Sequence, residues 1–315
     1  MLLEVEDLQA GYAQVPVVKG IRLSLREGEI AGIVGESGCG KSTFLRSLMV
    51  LDGRQNILGG SIRFAGTDLL SLSEEELRRI RGKDMVMIFQ NAARASDPLK
   101  TIGHQFYETM RSHCGKVSKK ECWQKAEAVL QQLHFPDPHR VLKSYSFELS
   151  GGMNQRAAIA LALLLGPRLM LADEPTSALD VTAQAQVIKQ MQALRETTRT
   201  AILLVTHNIG VVAQLCDQVG VMYAGRLVEW GTVREVLESP AHPYTQALLR
   251  SIPDMQGEPE GIPGTPPDFT EEIPGCAFAP RCPLACETCR TMLPETCMVS
   301  EGHWALCPYG KGGGV

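Results

Sequence analysis

The stretch Ile30-Ala-Gly-Ile-Val-Gly-Glu-Ser-Gly-Cys-Gly-Lys-Ser-Thr43 decides the fold. It opens with a continuous apolar run, which is typical of a strand in a parallel α/β sheet. The following residues, Gly35–Ser42, match the pattern G-x-x-x-x-G-K-[ST], whose glycines let backbone N–H groups surround phosphate oxygens. Lys41 would reach the β- and γ-phosphates, Ser42 would ligate Mg²⁺, and the helix beginning there would direct its positive end at the same anion. A chance match in a glycine-rich turn is the alternative; the flanking strand and helix favour a nucleoside triphosphate site.

Composition and charge limit the classes of protein. The chain has 315 residues, of which 44% are hydrophobic and 21% charged, enough for one large domain with an appendage or for two small domains. With 31 Lys and Arg against 35 Asp and Glu, its net charge of −4 gives no support for a nucleic-acid partner. The longest apolar run, Ala157–Leu165, is shorter than the roughly 20 residues that cross a bilayer. The N-terminal MLLEVEDLQ is unlike a signal peptide, so we expect a cytosolic chain, or one held at a membrane through partners.

The hydrophobic pattern changes along the first half of the chain. About the first 70 residues alternate in the manner of half-buried strands. Residues 71–165 are helical in pattern, with predicted capping boxes at Ser73 with Glu76 and at Ser118 with Glu121. This order predicts a β-rich region followed by a helical one.

The second half predicts a parallel unit and then an appendage. Buried strands at residues 169–172 and 201–205 flank a helix around residues 183–195, which is the pattern of a right-handed parallel unit. Residues 219–230 predict a hairpin. From Pro240 onward proline, glycine and finally cysteine are dense, which indicates a small, loop-rich appendage.

Two adjacent acids end the strand Leu169-Met-Leu-Ala-Asp173-Glu174. At a strand tip Asp173 can hold Mg²⁺ through water, while Glu174 can polarise the water that attacks the γ-phosphate. A solvated acidic strand end is the alternative. The four apolar residues before the acids and the Pro-Thr-Ser-Ala-Leu-Asp180 after them favour the functional interpretation.

A second anion-binding helix start is predicted at Leu149-Ser150-Gly-Gly. Ser150 is a typical N-cap residue, and the glycines leave the N–H groups and the dipole of the following helix open to an anion. An ordinary capped core helix is the alternative. Because Lys41 already serves one phosphate chain, this helix start is explained best if it caps a nucleotide that another subunit holds.

The order GESGCGKS, LSGG, LMLADEPTSALD and VTH resembles that of ABC-type ATPases over about Met1 to Trp230. The resemblance implies an α/β P-loop fold with a RecA-like parallel sheet core, an antiparallel β subdomain and a helical subdomain. It implies ATP with Mg²⁺, and ATP hydrolysis. Because the motifs occur once and no apolar run is long enough to span a membrane, we expect a separate ATPase subunit of an importer. The residues that would wrap the phosphates are Gly35, Glu36, Ser37, Gly38, Cys39, Gly40, Lys41, Ser42 and Thr43.

The same resemblance assigns the remaining site residues. Tyr12 would stack on adenine, and Gln90 would touch Mg²⁺ and the attacking water and relay to the membrane partner. His207 would hold the γ-phosphate and orient the base Glu174. The segment that would meet the nucleotide across the dimer, and the loop that would link the two sites, supply Ser150, Gly151, Gly152 and Asp180. Asn154 stands where Lys or Arg is usual in the family after LSGGM. This departure bears on the contacts with partner subunits rather than on hydrolysis.

The region after Pro240 resembles the C-terminal extension of peptide and nickel importers, through PAHPYTQALL, GIPGTPPD and GCAFAPRCP. We therefore expect an ABC ATPase domain over 1–239, with a helical subdomain at about 91–165, and a small Cys-rich extension over 240–315. The implied partners are a second, non-identical ATPase subunit, two transmembrane permeases and an extracytoplasmic substrate-binding protein. The implied location is the cytoplasmic face of a bacterial inner membrane. Arg140–Glu148 and Gln90-Asn91 favour nickel or metallophores slightly, and a regulator or nucleic-acid remodeller is the alternative function.

Six of the ten cysteines lie between Cys276 and Cys307, which indicates metal binding before disulfides. The family resemblance implies a [4Fe–4S] cluster on Cys276, Cys282, Cys289 and Cys307, with Zn²⁺ as the alternative metal. Cys286 and Cys297 exceed that set. Free thiols in a loose tail are the third interpretation, and a metal or redox sensor is a weaker functional hypothesis.

Overall fold

A computed structural model describes residues 1–51, 56–252 and 261–308. The strands are β1 Leu3–Tyr12, β2 Val15–Leu25, β3 Ile30–Val34, β4 Asn56–Phe64, β5 Thr67–Asp68, β6 Met85–Ile88, β7 Leu169–Asp173, β8 Ala201–Val205, β9 Gln218–Tyr223, β10 Arg226–Thr232, β11 Cys297–Ser300 and β12 His303–Ala305. The helices are α1 Lys41–Leu48, α2 Glu74–Ile80, α3 Ala92–Ala95, α4 Ile102–His113, α5 Lys119–Gln132, α6 Pro138–Lys143, α7 Gly151–Leu165, α8 Val181–Thr198, α9 Ile209–Leu215, α10 Val233–Glu238, α11 Pro243–Arg250 and α12 Glu287–Thr291.

The described residues form two units, each discontinuous in sequence. The first contains Met1–Leu3, Leu25–Ile30 and Arg63–Thr206. The second contains Glu4–Ser24, Ala31–Ile62 and the described residues from His207 onward. Both units hold strands with helices, as expected for an α/β fold.

In the first unit the parallel strands β6, β7 and β8 lie side by side. β7 and β8 are buried along their whole length, which explains their unbroken apolar sequences. α8 connects them, so the predicted strand–helix–strand unit is confirmed. In the region where the sequence predicts helices, α5 packs against α4, α6 and α7, and α7 also contacts α3 and α4.

In the second unit β3 runs parallel to β9, with Ala31 opposite Gln218 and Val34 opposite Val221. β9 and β10 form the predicted antiparallel hairpin. β12 continues this sheet by pairing antiparallel with β10, and β11 pairs with β12. The extension after residue 240 therefore contributes two strands, which the loop-rich composition did not predict.

Two details differ from the helical pattern predicted for residues 71–165. β6 lies inside this range, where Met85–Ile88 is too short an apolar run to separate strand from helix by periodicity. The capping box at Ser73 and Glu76 is confirmed. The second difference is that only half of the box predicted at Ser118 and Glu121 forms. Ser118 caps α5 by accepting from the Glu121 N–H, but the Glu121 carboxylate pairs with Lys125 Nζ at 2.8 Å.

Within the described ranges, no helix has the length and apolarity that a bilayer crossing requires.

Candidate functional site

The phosphate loop lies in the second unit, between β3 and α1. Gly38 and Gly40 have φ of +79° and +107°, which a side chain would oppose, and Gly40 is the N-cap of α1. A Cβ at Gly35 would overlap the Met222 carbonyl oxygen, so this position accepts only glycine. The loop is thus fixed by backbone geometry at three of its glycines.

Lys41 is buried at the start of α1 and points back into the loop. Its Nζ donates to the carbonyl oxygens of Gly35 at 2.7 Å and Glu36 at 2.9 Å. Cys39 Sγ lies 3.7 Å from the same Nζ, and burial raises the pKa of this thiol. Cys39 is thus a small buried side chain that fills space beside the lysine.

Glu36 connects the loop to the C-terminal extension, which sequence reasoning did not find. Its carboxylate accepts two hydrogen bonds from Arg281, at 2.8 and 3.0 Å, and its backbone N–H donates to Tyr244 Oη at 2.9 Å. The only signal in the sequence was that Arg281 and Tyr244 lie within the stretches that resemble the importer extension.

The acidic strand end lies in the first unit. Asp173 is the buried last residue of β7, and Glu174, also buried, follows in a left-handed conformation with φ +48°. The Glu174 N–H donates to the Val205 carbonyl oxygen at 2.9 Å, and Thr206 Oγ1 donates to Glu174 Oε2 at 3.2 Å. Positive φ at a glutamate is a strained conformation that accumulates at functional sites. Thr206 is a further residue that sequence reasoning missed, although it stands in the Val-Thr-His207 motif.

The LSGG segment in the first unit forms the predicted helix start. Ser150 is the N-cap of α7 and accepts from the Met153 N–H at 3.3 Å. Ser150 and Gly151 are exposed, so this helix end is open to a ligand. Asn154 is buried and donates to the Ser146 and Leu149 carbonyl oxygens at 2.8 and 3.2 Å. It therefore holds the turn before α7.

Four more predicted residues occupy element ends. Tyr12 ends β1 with 36% of its surface exposed, and the exposed Gln90 follows β6 closely. Asp180 is the N-cap of α8 and accepts from the Ala183 N–H at 2.9 Å. His207 is exposed after β8. Tyr12, the phosphate loop and His207 belong to the second unit; Gln90, Ser150–Gly152, Asp173, Glu174 and Asp180 belong to the first.

The C-terminal cysteines are not arranged as a metal site. Within residues 1–51, 56–252 and 261–308, no three His, Cys, Asp or Glu side chains are placed to hold a metal ion. Cys286 Sγ lies 3.4 Å from Cys289 Sγ, and the Cys276 N–H donates to the Cys289 carbonyl oxygen at 2.8 Å. Burial raises the pKa of the Cys276, Cys282 and Cys289 thiols. Over these described residues, the cysteines therefore give no support for the predicted cluster or zinc site.

Comparison with known proteins agrees with the motifs and their geometry. Residues 18–177 match the ABC transporter family, and residues 228–289 match the oligopeptide/dipeptide transporter C-terminal region. The chain is 43% identical to the probable peptide ABC transporter ATP-binding protein y4tR of Sinorhizobium fredii, over 98% of this chain and 94% of the relative. It is 42% identical to the oligopeptide transport ATP-binding protein OppD of Salmonella typhimurium, over 98% and 93%. A solved dimer of the ATP-binding cassette MJ0796 with ADP and Pi has a TM-score of 0.67 and 26% identity, covering 74% of this chain and 99% of that one.

The chain belongs to the ABC transporter family, which confirms the class that the order of motifs predicts. Within that family it is an ATP-hydrolysing subunit that powers import through partner permeases.

Proposed function

We propose that this chain is the motor subunit of a peptide importer. The observation that carries the proposal is the match of residues 228–289 to the oligopeptide/dipeptide transporter C-terminal region, together with full-length relatives named for peptide transport. Nickel or metallophore import, which the sequence slightly favours, has no comparable support.

We infer the following roles for the residues of the ATP site. Lys41 and the phosphate-loop N–H groups bind the phosphates, Ser42 and Asp173 hold Mg²⁺, and Glu174 acts as general base on the attacking water. Mg²⁺ would neutralise charge on the phosphate oxygens. Support comes from the glycine geometry of the loop and from the strained, buried Glu174, whose carboxylate Thr206 orients.

The other assigned residues complete the proposal. His207 holds the γ-phosphate and orients Glu174, and Tyr12 stacks on adenine. Gln90 contacts Mg²⁺ and the attacking water and relays to the permease. Ser150, Gly151 and Gly152 bind the nucleotide of a second ATPase subunit, and Asp180 links the two sites. The exposed N-terminus of α7 supports the role of the LSGG segment, because its N–H groups can reach an external anion.

We further infer that two permeases and a substrate-binding protein complete the importer, and that the chain works at the cytoplasmic face of the membrane. The domain division stays a prediction: an ATPase domain over 1–239, with its helical subdomain at about 91–165, and an extension over 240–315. A metal on the C-terminal cysteines also stays a prediction, which iron and zinc analysis of anaerobically purified protein tests.

Glu174→Gln tests the chemistry. We expect ATP binding to persist and turnover to fall by about 100-fold or more, because a general base contributes roughly 10²–10⁴ in rate. ATP binding and phosphate release are measured on the same preparation. Glu196→Gln, at an exposed glutamate of α8, is the matched control and should turn over normally. Normal turnover in Glu174→Gln would remove the assignment of the base.

The substrate class is tested in liposomes that carry this chain with its permeases and binding protein. We expect labelled peptide to enter only with ATP, and peptide to stimulate ATP hydrolysis. Uptake of nickel in place of peptide would overturn the substrate proposal. Purification with nucleic acid instead of membranes would favour the remodeller.

A further inference from the structure

Arg281, in the C-terminal extension, donates hydrogen bonds from all three nitrogens of its guanidinium to acceptors in the phosphate loop, in β9 and in the extension itself. Nη1 and Nη2 donate to the two carboxylate oxygens of Glu36 at 2.8 and 3.0 Å. Nη1 also donates to Tyr223 Oη at 3.2 Å, Nη2 to the Ile262 carbonyl at 3.3 Å, and Nε to the Pro263 carbonyl at 2.8 Å. Five contacts match the five N–H donors of an arginine, so the side chain is held in one orientation.

Glu36, which Arg281 holds in this way, is also in direct contact with the phosphate-loop lysine, Lys41. Its side chain is held by Arg281, its backbone N–H by Tyr244 Oη at 2.9 Å, and its carbonyl oxygen accepts from Lys41 Nζ at 2.9 Å. One residue of the loop is therefore fixed at its side chain, its N–H and its carbonyl. A change at Arg281 would reach Lys41 through a single intervening residue.

The surroundings make these contacts stronger than a surface pair. The Arg281 side chain is only 4% exposed and that of Glu36 25%, so solvent screens their attraction weakly. Tyr223, Tyr244 and Phe278 pack against one another edge-on or tilted, with ring centroids 4.5 to 5.4 Å apart. The Arg281 guanidinium lies 5.8 Å from the ring centroid of Tyr223 and 5.9 Å from that of Phe278. Hydrogen bonding to Glu36 raises the pKa of Arg281, and burial raises that of Tyr244, so one stays charged and the other neutral.

We propose that Arg281 and Tyr244 of the C-terminal extension are positioning residues that hold the phosphate loop, through Glu36, in the conformation that binds nucleotide. The inference rests on the proposed nucleotide site and gives the extension a part in ATP binding. If these contacts only attached the extension to the rest of the second unit, they would contribute to stability and leave the affinity for nucleotide unchanged.

The test measures the Kd of Mg-ATP and the KM and kcat of hydrolysis on the full chain. In Arg281→Met we expect the Kd of Mg-ATP and the KM to rise roughly tenfold, because the loss of coupled contacts of this kind changes a binding constant by about that factor. The kcat at saturating ATP should stay within about twofold. Arg281→Lys should recover part of the affinity. Tyr244→Phe should weaken binding a few-fold. Arg290→Met, at an exposed arginine of the same extension, is the matched control.

A double-mutant cycle identifies the route. If Arg281 acts through Glu36, then Glu36→Gln with Arg281→Met should bind ATP no more weakly than the worse single variant. Wild-type Kd and KM in a folded Arg281→Met would overturn the inference. Should that variant fail to fold, Arg281→Lys and Tyr244→Phe decide, and unchanged affinity in both would likewise overturn it. Wild-type protein that binds no ATP, with Lys41→Ala indistinguishable from it, would instead overturn the proposed nucleotide site.

Discussion

At the scale of single residues, His242 shows how burial couples protonation to stability. It is the N-cap of α11, and its Nδ1 accepts from the Tyr244 N–H at 3.0 Å. The imidazole is 1% exposed, and burial lowers its pKa to about 3. The folded chain therefore keeps this histidine neutral at a pH where the unfolded chain, with a pKa of about 6.5, binds a proton.

We expect the free energy of unfolding to fall as the pH falls through this interval. The contribution of His242 is complete above about pH 6.5 and is lost progressively toward pH 3, with a loss of about 2 kcal/mol between pH 7 and pH 5. His242→Asn retains a side-chain acceptor for the cap and should show a weaker pH dependence by that amount. Urea unfolding at the two pH values measures it.

The control for this prediction is His134→Asn, at an exposed histidine just after α5 whose left-handed backbone suits asparagine, and this variant should keep the wild-type pH dependence. An identical fall in stability for wild type and His242→Asn would contradict the account.

The residues of the site differ in how far the sequence could predict them. Lys41 and Glu174 follow from local motifs, because their spacing from a strand is itself the signal. Thr206 and Arg281 act on partners 32 and 245 positions away, Glu174 and Glu36 respectively, and no local pattern encodes such a pair. The left-handed backbone of Glu174 likewise depends on a hydrogen bond to Val205, which only the sheet supplies.

At the scale of elements, α7 begins with two glycines that have different surroundings. A Cβ on Gly151 would meet nothing within 4 Å. A Cβ on Gly152 would lie 3.1 Å from the Ala178 carbonyl oxygen, which is tighter than ordinary van der Waals contact. A close approach of backbone therefore favours glycine at position 152, whereas packing within the described residues does not favour it at position 151.

Alanine substitutions at these two positions should separate the two cases. Gly151→Ala should raise the free energy of unfolding by about 0.5–1 kcal/mol, because alanine favours the helix and restricts the unfolded chain. Gly152→Ala should gain less or lose stability, since the neighbouring carbonyl has to move. Denaturant unfolding of both variants gives the comparison, and equal stabilisation would contradict the predicted close approach.

The element pattern of the chain was predictable wherever an element was long or continuously buried. β7, β8 and α7 are such cases, and their positions agree with the apolar runs in the sequence. β6 and β12 were not predicted, because they have only four and three residues and obtain their stability from neighbouring strands. Short strands of this kind are defined by their partners rather than by their own periodicity.

At the scale of the whole chain, the extension after residue 240 is part of the core of the second unit. Glu229 of β10 is fully buried and accepts from the N–H groups of Ala241 and His242, at 2.7 and 2.9 Å. His303 of β12 places its Nε2 2.8 Å from the same carboxylate and is 2% exposed. The sequence therefore becomes richer in proline, glycine and cysteine after Pro240, but residues on both sides of this position pack into the same core.

His303→Ala tests this integration. We expect the free energy of unfolding to fall by about 3 kcal/mol, because removing one partner leaves a buried carboxylate with fewer hydrogen bonds. His303→Gln can still donate and should lose less. Met298→Ala, on the half-exposed strand β11 of the same hairpin, is the control and should change little. Hydrogen exchange at β9 and β10 shows where the loss occurs. Protection of those strands that is unaffected by His303→Ala would mean that the extension folds as an independent appendage, as the composition alone suggests.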